Sequence, residues 1–204
     1  MTDRRELSPN ADPAELLPLV ERAGAAGVDW VQIREKDLSA REMLELSRRA
    51  VTAAGTTKIL VNERLDVALA AGAAGVHLGV ESAPVAEVVR WCRAGHAAAE
   101  FLIGASCHSL AEAAAAESSG ANYVFFGPVF ATPSKLLYGA PQGIERLAEV
   151  CRQVCIPVIA IGGITAENAD QCVRSGAAGI AAIRLFQQAA DLAALVKQLR
   201  AESL

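Results

Sequence analysis

The sequence has little of what nucleic-acid-binding, membrane or secreted proteins require. Aromatic residues make up only 4% of the 204 positions, so a core has to be built from Ala, Val, Leu and Ile. The longest apolar runs, such as 156–161, are far too short to span a bilayer, and the first ten residues lack the apolar centre of a signal peptide. The net charge of −4 argues against a nucleic-acid partner, because such proteins normally carry a basic excess.

The cysteines give no sign of a disulfide framework. They are five, an odd number, and no two have Cys-x-x-Cys spacing. This usage is typical of reduced thiols in a cytoplasmic protein. Apolar residues make up 52% of the chain, and its length suits one domain over residues 1–204.

A short glycine-containing motif recurs along the chain and indicates its architecture. AGAAGV occurs at 23–28 and at 71–76, and the variants SGANYV and SGAAGI follow at 119–124 and 175–180. Each copy ends a helical pattern, where glycine adopts the left-handed conformation that closes a helix, and opens a short apolar run. Alternating strands and helices predict an α/β protein with parallel strands, because a crossover helix returns the chain to the same end of the sheet.

Seven strands are predicted, and they begin near residues 28, 58, 75, 101, 122, 157 and 179. Eight strands would close a (β/α)8 TIM barrel. The remaining strand would have to precede the first predicted helix, 13–25, where only MTDRRELSPN is available. We therefore expect either a barrel whose first strand is short or missing, or an open sheet. A missing strand would expose edges that favour pairing between chains, as in a homodimer.

Polar residues follow the predicted strands, at the end where a barrel carries its active site. In VQIREKD, at 31–37, an extended chain places Gln32, Arg34 and Lys36 on one face. Three hydrogen-bonding groups, two of them cationic, suit an anionic ligand. The alternative is that these charges only form salt bridges at the rim of the barrel.

Three further segments suggest phosphate chemistry. IGGIT, at 161–165, leads from a strand towards a helix, and glycine backbone N–H groups at such a place favour phosphate. Arg184, at the end of the last strand, could add a positive charge. The long connection 127–143 suits a flap over a phosphate, although it could be an ordinary surface loop.

His108 begins a helix, so it could either cap that helix or take part in acid–base chemistry.

Five blocks, in this order, resemble the thiamine phosphate synthase family and its thiazole tautomerase branch. They are QIREK at 32–36, VNERLDVALAAGAAGVHLG at 61–79, GASCHSLAEA at 104–113, FGPVFATPSK at 126–135 and IPVIAIGGI at 156–164. The resemblance implies a (β/α)8 barrel that condenses hydroxymethylpyrimidine diphosphate with a thiazole phosphate, giving thiamine phosphate and pyrophosphate, with Mg²⁺ required. The implied reaction is dissociative, so the protein mainly positions the substrates and stabilises charge on the leaving pyrophosphate.

The resemblance also implies roles for individual residues. Those that would bind the pyrimidine diphosphate are Gln32, Arg34, Lys36 and Asn62, with Ser106 and Lys135 at the diphosphate. Those that would face the thiazole phosphate are Thr132, Ser134 and the backbone of Gly163. The catalytic role, charge stabilisation at the leaving group, would fall to Arg34, Lys36 and Lys135.

The chain departs from the family pattern at the metal-binding positions. Glu63 stands where the family has Asp, and Val80-Glu81-Ser82 replaces an acidic run, so Mg²⁺ would depend on Glu63 and Glu81. Arg184 stands where a small or hydroxyl residue is usual. These departures favour the tautomerase, in which His108 would move a proton without a metal. The intact QIREK and Asn62 favour the synthase, and a non-catalytic phosphate-binding barrel is a third interpretation.

Overall fold

A computed structural model describes residues 1–132 and 140–201. All seven predicted strands form, and helices alternate with them. The strands are β1 (Trp30–Ile33), β2 (Lys58–Asn62), β3 (Gly75–Leu78), β4 (Leu102–Cys107), β5 (Tyr123–Phe126), β6 (Val158–Ile161) and β7 (Gly179–Ala181).

Nine α-helices lie in the described ranges, and none of them is long and apolar enough to cross a bilayer. They are α1 (Leu17–Ala25), α2 (Ala40–Ala53), α3 (Leu65–Ala71), α4 (Val85–Trp91), α5 (Leu110–Ser118), α6 (Gly143–Gln153), α7 (Ala169–Arg174), α8 (Arg184–Gln187) and α9 (Leu192–Ala201). Short 3₁₀ helices cover Arg4–Glu6 and Pro13–Leu16, and a π-helical segment covers Cys92–His96.

The chain divides into two compact units. Among the described residues, the first contains 1–77, 97–102 and 183–198, and the second contains 78–96, 103–132, 140–182 and 199–201. In the first unit β1 pairs with β2 and β2 with β3. In the second unit β4, β5, β6 and β7 pair in chain order. Every one of these pairings is parallel, which confirms the expectation from the alternating pattern.

The core of each unit is mainly aliphatic, as the composition requires. In the first unit Ile33, Leu60 and Val61 are fully buried, and α2 buries one face that carries Met43 and Leu46. In the second unit Tyr123 and Phe126 are fully buried, as are Leu147, Val124 and Val129, whereas Trp91 is 45% exposed. Burial of these side chains supplies most of the driving force for folding.

The start of α2 is fixed by a capping box. The Ser39 hydroxyl accepts from the Glu42 N–H at 3.3 Å, and the Glu42 carboxylate accepts from the Ser39 N–H at 2.8 Å. This reciprocal pair satisfies two backbone donors that the first turn of a helix leaves open. The helix therefore begins just after the charged segment 34–37, which is confined to the short turn between β1 and α2.

The residues ahead of β1 are not a regular strand. Over the described range 1–29 no strand forms, but the Thr2 N–H donates to the Gln32 carbonyl at 2.8 Å. Asp3, in extended conformation, donates its N–H to the Gln187 side chain at 3.0 Å. A short extended segment thus lies beside β1 within the first unit. Closure into an eight-stranded barrel stays a prediction.

Two strand glycines give a matched test of packing in the second unit. Gly104 in β4 pairs with Tyr123 in β5, and a Cβ at 104 would overlap the buried Tyr123 ring. A Cβ at Gly179 in β7 would meet only Ile159 Cδ1, at 3.5 Å. We expect Gly104→Ala to lower the free energy of unfolding by about 1–3 kcal/mol, and Gly179→Ala to change it by less than ~0.5 kcal/mol. Urea unfolding measures both, and equal effects would contradict the close packing at Gly104.

Candidate functional site

The carboxyl ends of β1 and β2 bring several of the predicted residues together in the first unit. Gln32 and Asn62 are 3% and 9% exposed, and Gln32 Nε2 donates to Asn62 Oδ1 at 2.8 Å. Lys36 Nζ lies 3.7 Å from Glu63 Oε1. We call Gln32, Arg34, Lys36, Asn62 and Glu63 the strand-end cluster. Its members come from two neighbouring parallel strands, which is why sequence blocks 30 residues apart meet.

One buried atom of this cluster lacks a hydrogen-bond partner. Gln32 Oε1 is buried and accepts no hydrogen bond from the described part of the chain. A buried amide oxygen left in this state costs about 1–3 kcal/mol, so most such atoms in proteins find a partner. Gln32 Oε1 is therefore a buried acceptor that the described part of the chain leaves unused.

The acidic residues of VQIREKD contact a different part of the chain. The Glu35 carboxylate accepts the Thr2 hydroxyl at 2.7 Å and lies 3.1 Å from Arg4 Nη1. Arg4 also makes two parallel bonds to Asp37, at 2.6 and 2.7 Å. The hydrogen bonds from Arg4 hold the pKa of the Asp37 carboxyl well below its usual range, and the same bonds raise the pKa of Arg4. Arg5 Nη2 also lies 3.0 Å from Asp37 Oδ2, so the two guanidiniums together balance these two carboxylates, a role that the sequence interpretation gave to neither arginine.

Glu63 has an unusual backbone conformation. Its φ is 63°, and it is the one non-glycine residue with positive φ in the described chain. The Glu63 N–H donates to the His77 carbonyl at 2.8 Å, and the next N–H, of Arg64, donates to the Asn62 carbonyl at 2.7 Å. A left-handed non-glycine residue costs about 1–3 kcal/mol, and such residues concentrate at functional sites. The turn directs the Glu63 carboxylate towards Lys36.

His77 lies at the end of β3, opposite Asn62 in the parallel register. Its side chain is fully buried. Burial, followed by the positive charge of Arg34, lowers the pKa of His77 to about 3. The imidazole is therefore neutral at physiological pH and does not repel the guanidinium. His77 stands in the block 61–79, but the sequence gives no sign of its proximity to Arg34.

The glycine turn after β6 belongs to the second unit. Gly162 and Gly163 have φ of 95° and 66°, and a Cβ on Gly163 would come within 2.6 Å of the Ala131 carbonyl oxygen. Asn168 braces the turn, since its side chain accepts the Thr165 N–H at 2.8 Å and donates to the Gly163 carbonyl at 3.0 Å. The following helix, α7, begins only at Ala169. IGGIT therefore leads into a braced turn rather than directly into a helix.

His108 and Ser106 lie near the end of β4 in the second unit. The His108 N–H donates to the Glu112 carboxylate at 2.6 Å, and its Nδ1 makes a short hydrogen bond with the Gly127 carbonyl. The cap of α5 is the next residue, Ser109, whose side chain accepts from the Glu112 N–H. Ser106 is half-buried in β4, opposite Phe125 in β5.

The remaining predicted residues are dispersed. Thr132 is buried in the second unit, and Glu81 is exposed there in the turn 79–82. Arg184 is exposed and begins α8 in the first unit, three residues beyond the end of β7 rather than at the strand end. Ser134 and Lys135 fall outside the described residues. Within the described ranges, no group of three or more His, Cys, Asp or Glu side chains could hold a metal ion.

Parallel strands that carry polar and cationic residues at their carboxyl ends are typical of α/β enzymes acting on small molecules. The chain belongs to the thiamine monophosphate synthase family, whose model matches residues 6–186.

Its relatives include a putative thiamine-phosphate synthase of Geobacter sulfurreducens, 47% identical over 90% of this chain and 83% of the relative. A thiamine-phosphate synthase of Methanoculleus marisnigri is 42% identical over 89% and 85% of the two chains. Among solved structures, thiamine phosphate pyrophosphorylase from Pyrococcus furiosus matches with a TM-score of 0.83 and 35% identity, over 99% of this chain and 92% of that one.

His77 gives a test of the buried, neutral imidazole. The unfolded chain binds a proton at an ordinary pKa of about 6.5, whereas the folded chain binds it only near pH 3. Lowering the pH from 7.5 to 5 therefore favours the unfolded state, and His77 should account for a loss of roughly 2 kcal/mol in the free energy of unfolding.

Urea unfolding at the two pH values, for the wild type and His77→Gln, isolates this contribution. We expect the variant to lose about 2 kcal/mol less than the wild type. His96→Gln, at an exposed position, is the control and should keep the wild-type decline. An unchanged decline in His77→Gln would contradict the assignment.

Proposed function

We propose that this chain is a thiamine-phosphate synthase, a transferase of thiamine biosynthesis. It joins hydroxymethylpyrimidine diphosphate to a thiazole phosphate and releases pyrophosphate. The observation that carries the proposal is the strand-end cluster, in which a buried, unsatisfied Gln32 oxygen lies beside Asn62. Arg34 and Lys36 follow Gln32 at alternate positions of the same strand end. The relatives that bear the synthase name support this assignment over the tautomerase, which is not needed to explain the chain.

The two amides would hold the pyrimidine. Asn62 Oδ1 already accepts from Gln32 Nε2, which leaves Gln32 Oε1 free for a ring amino group. A donor on the ligand would satisfy this oxygen, and a ring without one would leave it buried and unpaired, so the pair also discriminates between ligands. The fully buried neighbours Ile33 and Val61 keep the two strand ends rigid.

Arg34 and Lys36 would receive the diphosphate. In a dissociative reaction negative charge grows on the leaving pyrophosphate as its bond to the pyrimidine methylene breaks. Two fixed cations stabilise this charge more in the transition state than in the substrate, which is the condition for catalysis. Because Arg4 and Arg5 pair with Glu35 and Asp37, the Arg34 guanidinium does not have to pair with them.

Mg²⁺ is part of the proposal, and Glu63 is the residue of the first unit that would hold it. The ion usually keeps several waters and binds through one or two carboxylates together with substrate phosphates, so a single well-placed carboxylate fits it. Glu63 is partly exposed, and its left-handed backbone fixes the direction of its side chain. When bound, Mg²⁺ neutralises phosphate charge. We also assign Glu81, which is exposed on the second unit, as a candidate ligand.

The glycine turn 162–165 of the second unit is our candidate for the thiazole phosphate. Left-handed glycines present backbone N–H groups to an anion, and Asn168 keeps the turn in shape from behind. Ser106, Thr132, Ser134, Lys135 and Arg184 stay candidate substrate-binding residues. For His108, the bond from Nδ1 to the Gly127 carbonyl supports a structural role at the start of α5.

Substituting the two cations tests the proposed chemistry. Arg34→Gln and Lys36→Gln each remove a positive charge from the leaving-group side, and we expect each to lower kcat/KM by about 100-fold or more. The measurement is thiamine phosphate formation, coupled to pyrophosphate release. Arg49→Gln, which removes an exposed cation from α2, is the matched control and should keep wild-type turnover. Wild-type activity in Arg34→Gln would contradict the role of the cluster.

Glu63 can be tested through the metal dependence of the same assay. Glu63→Gln keeps the size of the side chain but removes its charge, so it should raise the Mg²⁺ concentration for half-maximal activity about tenfold. Glu45→Gln, at an exposed position of α2, controls for the change in net charge. An unchanged Mg²⁺ requirement in Glu63→Gln would remove Glu63 from the metal site.

A further inference from the structure

The segment Thr2–Arg5, here called the N-terminal strap, contacts the strand end on the side away from the predicted ligand face. Thr2 is only 5% exposed. Its hydroxyl donates to Glu35 Oε1 at 2.7 Å and accepts the Arg34 N–H at 3.0 Å. Its own N–H donates to the Gln32 carbonyl at 2.8 Å. One residue therefore bonds to three positions of the segment that carries the predicted diphosphate ligands.

The strap also satisfies the buried Glu35 carboxylate completely. Thr2 donates to one oxygen, and Arg4 donates to the other from its backbone N–H at 3.2 Å and from Nη1 at 3.1 Å. The Glu35 side chain is 1% exposed, so these are not weak surface contacts. A buried carboxylate with all its partners in place is a rigid point in the structure.

Residues outside the strand end, Gln187 and Ala11, also form hydrogen bonds with the strap. Asp3 donates its N–H to Gln187 Oε1 at 3.0 Å, and its carbonyl accepts from Gln187 Nε2 at 3.2 Å. Arg4 Nε donates to the Ala11 carbonyl at 3.0 Å. The strap is thus fixed between α8 on one side and the strand end on the other.

The contacts of the strap with Glu35 and with the Arg34 backbone also affect the direction of the Arg34 side chain. Glu35 bonds to the strap. Arg34 directly follows the end of β1 at Ile33, and an extended backbone at 34–35 would place its side chain on the opposite face from Glu35. The bond from the Arg34 N–H to the Thr2 hydroxyl fixes the backbone from which the Arg34 side chain projects. Binding groups lose their effect when they move by more than about 0.5 Å, so their supporting contacts matter.

We propose that Thr2 is a positioning residue for Arg34, acting through its hydroxyl and in concert with Glu35 and Arg4. The proposal rests on the proposed function, in which Arg34 receives the diphosphate. In this role Thr2 would act through Arg34 and not by direct contact with a substrate. Its effect is on affinity for the diphosphate group, since it determines where the guanidinium lies.

The first unit offers a matched control for a purely structural role. Thr57 is also a buried threonine, 7% exposed, and its hydroxyl donates to the Val28 carbonyl at 2.6 Å. It precedes β2, at the amino ends of the same strands, and its hydroxyl bonds to no member of the strand-end cluster. Thr57→Val and Thr2→Val therefore remove the same group from similar surroundings at opposite ends of one strand pair.

The experiment measures the Kd for inorganic pyrophosphate by calorimetry, with and without Mg²⁺, and the KM for the pyrimidine diphosphate, with any tag at the C terminus. Urea unfolding of each variant reports its stability. We expect Thr2→Val to raise both Kd and KM about tenfold. Thr57→Val should lower stability similarly but leave both values near those of the wild type. Thr2→Ser, which keeps the hydroxyl, should restore most of the affinity.

Arg4→Lys is the second variant, in case Thr2→Val folds poorly. It keeps the charge but loses the paired bonds to Asp37, and it should raise the pyrophosphate Kd severalfold. Wild-type Kd in Thr2→Val, or an equal rise in Thr57→Val, would overturn the positioning role. Failure of the proposed function has a different signature, which is a wild type that forms no thiamine phosphate. In that case the Kd comparison for pyrophosphate still decides the role of Thr2.

Discussion

The neutralisation of the buried Glu35 carboxylate is the interaction on which the candidate site depends. A carboxylate removed from water needs partners for both oxygens, and here a hydroxyl and a guanidinium supply them. If Arg34 had to satisfy Glu35 instead, it would turn away from the ligand face. In the proposed function the strap therefore separates two tasks within one short segment, because Glu35 and Asp37 bond to the strap while Arg34 and Lys36 would bind the substrate.

The ends of β2 and β3 also carry residues whose contacts support the strand-end cluster. Asn62 is hydrogen-bonded to Gln32, Glu63 pairs with Lys36 from a left-handed backbone position, and His77 stays neutral beside Arg34. These contacts hold polar and cationic groups at the strand ends, and the neutral His77 adds no positive charge beside Arg34. Backbone strain at Glu63 and the unsatisfied oxygen of Gln32 both make the folded state less stable at this location. Costs of this kind are typical of a site that is completed by its ligand.

The sequence predicts where the strands lie, but it does not predict the contacts that hold the carboxyl ends of these strands in place. β2 and β3 begin at the residues predicted, Lys58 and Gly75, because a glycine-containing helix end or a turn precedes each apolar run. The role of Thr2 could not be predicted, since its contacts join residues 32 and 33 positions apart and no local pattern records them. The signal that was available is alternation, which already places Glu35 away from Arg34. The sequence predicts that IGGIT leads into a helix, but Asn168 extends the turn after Gly163 through its side-chain hydrogen bonds, and α7 begins only at Ala169.

The most direct test of the central claim is the stoichiometry of the wild-type reaction. The purified chain is incubated with hydroxymethylpyrimidine diphosphate, thiazole phosphate and Mg²⁺, and both products are quantified. We expect thiamine phosphate and pyrophosphate to appear in equal amounts, and only when both substrates and the metal are present. A folded chain that binds pyrophosphate but forms no thiamine phosphate would contradict the synthase assignment.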